Sequence, residues 1–182
     1  MNIKELKIET FKQEIQNAII HKENSIFYSI IPTNIVYAGK GDIDLEYCKK
    51  NNYLVYKSID FGKGLVATKG DIVIVLVRKN GWEDYKTIAE VTINYLRSKG
   101  LNAEIKSNDI IVDNEYKVAS YSSVNIGNDY IYTGFQATFN PNIKDIESIC
   151  KKKCKRLPKG LSEYKINAQE LLAEILNSIK GE

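Results

Sequence analysis

Residues 108–122 read N-D-I-I-V-D-N-E-Y-K-V-A-S-Y-S and alternate like a hairpin with one buried face, yet Lys117 stands beside Val118 and Ala119. A lysine in that place offers a compact positive charge for a carboxylate, a phosphate or an oxygen on which charge develops. Two other stretches carry related chemistry. The run F-G-K-G-L-V-A-T-K-G-D (61–71) holds three glycines in eleven residues, and glycine lets backbone N–H groups approach an anion closely. The step Thr133-Gly134 leaves room beside a strand for a flat or long ligand. Together these pieces suggest a ligand cradle. The plainer alternatives are an edge-protecting lysine facing water and a simple turn between strands.

These residues need elements to hold them. Apolar positions at helical spacing predict an amphipathic helix over residues 2–22, with a break near Thr10. Two strands divided by Pro32 follow over 25–40, then a short helix over 44–52 and a strand over 53–59. The β-branched run D-I-V-I-V-L-V (71–77) has the character of a central strand. A helix over 82–99 stops at Gly100, and a hairpin turns at Asp113-Asn114. Another strand covers 130–140, a helix 143–150, a basic loop 151–160 and a last amphipathic helix 167–179. The expected fold is α+β, a single domain over 1–182 with a mixed, largely antiparallel central sheet and helices on one side.

Composition narrows the function classes. An apolar content of 43% in 182 residues suffices for one core. The formal charge of +3 is too slight to mark a nucleic-acid-binding protein; the run K-K-K-C-K-R (151–156) is a solvated face or a local attraction for an acidic partner. Cys48, Cys150 and Cys154 lack disulfide-framework spacing, and His21 alone leaves little for zinc, so the expectation is a cytoplasmic protein without a metal centre of its own. The charged N-terminus has no signal-like apolar segment, and no apolar run approaches the roughly 20 residues that cross a bilayer. Neither secretion nor membrane insertion is expected.

The order of these pieces resembles the catalytic domain of the lipoate–protein ligase, octanoyltransferase and biotin–protein ligase superfamily. The likeness covers about 25–165. The family signature R-N-D-I-x-V-D-G-x-K-I-S-G-S-A is echoed by S-N-D-I-I-V-D-N-E-Y-K-V-A-S-Y-S (107–122), with one residue more in the turn. I-V-Y-A-G-K (35–40) and the stretch 44–71 resemble the family's strand and glycine-rich segment, and T-G-F-Q-A-T-F-N-P-N (133–142) its H-G-T-L-L-x-x-x-D. A fainter counterpart of the family's K-x-x-S-x-x-x-R-V-x-N-L is K-R-L-P-K-G-L-S-E-Y-K-I-N-A (155–168). Lys57 and Ser58 fall on the family's arginine pair, Phe61, Gly62 and Lys63 on its triple glycine, and Thr133 on a usual histidine.

The resemblance implies acyl transfer of lipoate or octanoate, through an acyl-adenylate made from ATP with Mg2+, to a lysine of a lipoyl or acyl-carrier domain. In that reading Lys117 is the catalytic residue; Lys57, Gly62, Lys63, Gly64, Asn108, Asp109, Ser120, Ser122, Thr133 and Gly134 bind the acyl group or nucleotide. The short transferases of the superfamily use a cysteine nucleophile, and Cys150 falls near that slot, so a Cys150-dependent octanoyltransferase is the alternative. A non-catalytic binding module is a further one. No accessory C-terminal domain is expected from the matched length.

Overall fold

The computed structural model describes residues 1–38, 43–57 and 65–180. A seven-stranded sheet runs in the order β1-β2-β6-β10-β9-β8-β7. Its strands are β1 (Asn2–Glu5), β2 (Ser25–Ile30), β6 (Ile72–Lys79), β7 (Ala103–Lys106), β8 (Asp109–Val112), β9 (Tyr116–Gly127) and β10 (Tyr130–Ala137). All neighbours are antiparallel except β1 with β2. A second sheet joins β3 (Ile35–Ala38) in parallel to β4 (Leu54–Lys57) and antiparallel to β5 (Leu65–Ala67). The helices are α1 (Ile8–His21), α2 (Leu45–Lys50), α3 (Asp84–Ser98), α4 (Ile143–Cys150) and α5 (Ala168–Lys180).

Strand alternation divides the large sheet into two faces. Ile72, Ile74 and Leu76 of β6, with Phe135 and Ala137 of β10, pack under α3 and α5 through Ile88, Leu96, Leu171 and Ile175. The intervening Val73, Val75 and Val77 face the other way, toward Phe11, Ile15 and Ala18 of α1 and toward Ile35 and Ala67 of the small sheet. β6 is thus buried on both faces, which is why it reads as a continuous apolar run. Helices lie on both sides of the sheet, and a second sheet shares one side, where one-sided helices over a single sheet were expected.

Two element predictions also change. The expected helix over 2–22 begins only at Ile8, because Asn2–Glu5 pairs with Ser25–Tyr28 as an added edge strand. There the unpaired edge of β2 outweighs local helical spacing. Within the stretch 61–71, expected as a glycine-rich turn before the central strand, Leu65–Ala67 forms β5 and pairs with β3.

Candidate active site

The position of Lys117 is decided by a β-bulge. Ile110 of β8 faces Ala119, but Ile111 faces Lys117, so Val118 is an extra residue in β9. Val118 and Ala119 both enter the helix-side core. Without the bulge, Lys117 would share the face of Ala119 and point at α3 and α5; with it, the side chain turns to the opposite face. The hairpin has room for this because Asp113 and Asn114 both take the left-handed backbone region, at φ 56° and 61°.

On that face Lys117 Nζ lies 2.8 Å from Asp109 Oδ1. Arg156 Nη1 lies 2.6 Å from Asp109 Oδ2 and donates to the Lys106 carbonyl at 3.3 Å. One carboxylate is thus held between two cations, and the cluster retains one positive charge. The side chains of Lys117 and Asp109 are 33% and 20% exposed. The amine is therefore neither in bulk water nor sealed in the core.

The strap after α4 fixes this arrangement. β10 turns away after Ala137, and the strap takes its place beside Lys117: the Lys117 N–H donates to Leu157 O at 2.9 Å, and the Lys159 N–H donates to Lys117 O at 2.9 Å. The Lys159 ammonium sits between the rings of Tyr116 and Tyr164, 4.6 and 4.5 Å from their centroids. Gly160 ends the strap against β10. A Cβ there would overlap the Phe139 carbonyl oxygen and stand 2.9 Å from its carbon, backbone atoms that cannot rotate aside. Gly160→Ala is expected to destabilise the fold by about 2–3 kcal/mol, as overpacking does. Urea unfolding checks this; unchanged stability would mean that the strap shifts freely.

Several predicted residues meet here. Ser120 pairs with Asp109 and Gln136, and Ser122 with Gly134, so these join Lys117 on one face. Gln136 donates from Nε2 to Val66 O and to Asp71 Oδ2, both at 3.0 Å, and so ties β5 beside Ser120. Gly134 does not leave free room as expected: a Cβ there would lie 3.3 Å from Cε1 of Tyr132, whose ring occupies that space. Burial pushes the Tyr132 phenol up to about 12, and the Tyr37 phenol beside it is also raised, chiefly by burial.

Other predicted residues do not join. Thr133 is buried on the helix-side face, its Oγ1 2.8 Å from Ser123 Oγ, so it cannot share a ligand with Lys117. The parity of Thr133 and Gly134 as strand neighbours makes this unavoidable. Asn108 is exposed in the turn between β7 and β8, and its carbonyl accepts the Tyr121 N–H at 3.0 Å. Gly62, Lys63, Gly64 and the side chain of Lys57 lie outside the described residues. Arg156 is the residue that sequence reasoning missed; its only signal was a cation in the faint match over 155–168.

Cys150 ends α4 and is half-buried. Burial is the largest influence on its thiol and pushes it up, against a smaller opposing pull from Lys152. A nucleophilic thiolate needs the reverse. Lys117 instead acts electrostatically on Cys154, whose thiol burial also raises. Lys117 is not among the influences on the Cys150 thiol. Cys150→Ala is expected to leave acyl-transfer rates unchanged, and in the parent Cys150 alkylation should rise only above the ordinary cysteine pH range; loss of transfer in the variant, with a thioester trapped on Cys150 in the parent, would reverse this.

The architecture is that of a ligase and acyltransferase class. Residues 8–178 match the lipoyl protein ligase A/B catalytic domain, and the chain belongs to that family. Among solved structures it is similar to P. falciparum LipL1 in complex with lipoate, at TM-score 0.77 and 14% identity, covering 98% of this chain and 60% of that one. It is similar to the bi-partite lipoate protein ligase of Thermoplasma acidophilum, described with its E2 lipoyl domain, at TM-score 0.76 and 14% identity, with coverages of 99% and 82%. A lipoate-protein ligase A bound with ATP matches at TM-score 0.74 and 16% identity, with coverages of 99% and 83%. No curated protein matches in sequence. The fold class and the superfamily resemblance of the sequence thus hold.

Proposed function

We propose that the chain activates lipoate or octanoate with ATP and passes the acyl group to a lysine of a lipoyl-type carrier domain. The observation that carries this reading is the Lys117 amine, turned by a bulge onto the face of Ser120 and Ser122 and steadied by Asp109. In the first step the acyl carboxylate attacks the α-phosphorus, an acyl-phosphate bond forms and pyrophosphate leaves. In the second, the carrier amine attacks the acyl carbon and AMP leaves with the bonding pair.

In both steps negative charge gathers on oxygen. Lys117 has donors to spare beyond Asp109, and a preplaced cation favours the charged intermediate over the neutral ground state. Asp109 and Arg156 act as positioning residues, holding the amine in one place without cancelling the site's net charge. The relatives bound to lipoate and to ATP support this substrate pair. Mg2+ fits less directly: both Asp109 oxygens are engaged by cations, and among the described residues no group of three or more His, Cys, Asp or Glu is placed to hold a metal. The ion would therefore arrive on the nucleotide's phosphates, and nothing here is routed through it.

The three cysteines are free thiols, which accords with a reducing cytoplasm. No helix of the described residues is long and apolar enough to cross a membrane. The test is incubation of the protein with lipoic acid or octanoic acid, ATP and Mg2+, followed by mass spectrometry for the acyl-adenylate. Adenylate formation is expected. Its absence, together with no transfer to a carrier domain, would overturn the reading, and ligand-induced stabilisation in that case would leave a binding module instead.

A further inference from the structure

Residues 143–159 hold seven cations (Lys144, Lys151, Lys152, Lys153, Lys155, Arg156 and Lys159) against Asp145 and Glu147. The other 165 residues hold 19 Lys and Arg against 21 Asp and Glu, so the positive charge of the whole chain resides in this one segment. Its two carboxylates are already engaged. Asp145 accepts from the hydroxyls of Tyr47 and Tyr53 at 2.8 and 2.9 Å, and Glu147 accepts from Lys153 Nζ and the Cys154 N–H, both at 2.9 Å. Lys144, Lys151, Lys152 and Lys155 are exposed. One or two of them would suffice to offset the negative end of α4, so helix electrostatics do not account for the number.

The charge does not stand alone. A groove of about 760 Å3 opens along α4 between Ile143 and the lysines after Cys150, and Ile143 and Leu157 present 36% and 47% of their surface to solvent. The basic segment is also continuous with the Lys117 site, since Leu157 O holds the Lys117 N–H and Arg156 reaches Asp109. A partner seated on this face lies beside the reactive centre.

We infer that this face docks the acyl acceptor, a small protein domain acidic around its modified lysine with an apolar spot for Leu157; this rests on the function proposed above. A single-stranded nucleic acid fits less well, because residues 143–159 contain no aromatic side chain on which bases could stack. An acidic domain needs only complementary charge and an apolar contact, both of which are here.

The test is the triple variant Lys151→Glu, Lys152→Glu, Lys155→Glu, none of them part of the Lys117 cluster. The variant is expected to form acyl-adenylate at the parental rate without acceptor, while its KM for a purified acidic lipoyl domain rises about ten- to a hundredfold at low salt. Added salt should raise the parent's KM toward the same value. An unchanged acceptor KM, or an equal loss of adenylate formation, would overturn the docking face. So would tighter, lysine-dependent binding of a single-stranded RNA than of the lipoyl domain. Should the parent form no adenylate, the functional reading fails, and fluorescence-anisotropy titration of labelled lipoyl domain still decides the face by whether the variant binds more weakly.

Discussion

Lys117→Ala is expected to slow acyl transfer by about a hundred- to a thousandfold, the usual cost of deleting one preplaced donor to a developing oxyanion. Stability should hardly change. The Lys117–Asp109 pair is partly exposed, such pairs contribute about 0–1 kcal/mol, and Arg156 stays on the other carboxylate oxygen in the variant. The backbone bonds to Leu157 and Lys159 do not involve the side chain and persist. The measurement pairs initial transfer rates with urea unfolding. Full activity would remove Lys117 from the mechanism; a collapsed transition midpoint would make it a structural residue instead. Separating the two half-reactions adds resolution, because a cation acting on the acyl carbonyl and one acting on phosphate affect different steps.

The second large effect concerns Asp71, which is 1% exposed. Its Oδ1 accepts the Phe139 N–H at 2.7 Å and the Thr68 hydroxyl at 3.1 Å; Oδ2 accepts the Thr68 N–H at 2.9 Å and Gln136 Nε2 at 3.0 Å. One carboxylate thereby joins the end of β5, the start of β6 and the exit of β10. Asp71→Ala is expected to cost about 3–4 kcal/mol, since two buried backbone donors lose their acceptor and each such loss costs about 1–3 kcal/mol. Chemical denaturation measures it, and a loss below about 1 kcal/mol would show that water replaces the carboxylate.

Asp71 also gives a pH dependence. Burial raises its carboxyl above the ordinary value, outweighing the four donors that pull it down. The folded state then holds the proton more tightly than the unfolded chain. The stabilisation from this group is full below the unfolded carboxylate pKa and is lost as pH rises through the raised folded one. Asp71→Asn cannot titrate, so the stability gap between parent and variant should narrow as pH rises across that window. A gap that widens would mean that the hydrogen bonds outweigh burial.

Much of this was legible in the residue order. The turn at Asp113-Asn114, the central strand at Ile72–Lys79, the stop at Gly100 and the last helix all follow from local rules: backbone sterics, β-branching and helical spacing act over a few residues and need no distant partner. The cation at Lys117 and the acid at Asp109 were visible as types, and the family likeness of residues 107–122 gave them separate roles, the lysine in catalysis and the aspartate toward the nucleotide. The basic character of 151–156 was equally plain. Local pattern thus determined most of the elements, and the resemblance carried by residues 107–122 gave the superfamily and the chemistry it implies.

Tertiary structure decided which side chains could act together. The face taken by Lys117 depends on an extra residue at Val118, and a bulge is defined only against the partner strand, so alternation within β9 cannot reveal it. Arg156 reaches Asp109 across 47 residues of chain, a distance that no spacing rule spans. Thr133 and Gly134, adjacent in sequence and expected to work as one, are sent to opposite faces by the pleat, and Tyr132 fills the room beside the glycine. Residue type is a property of the chain; which residues share a face is set by strand pairing, which forms between segments far apart in sequence.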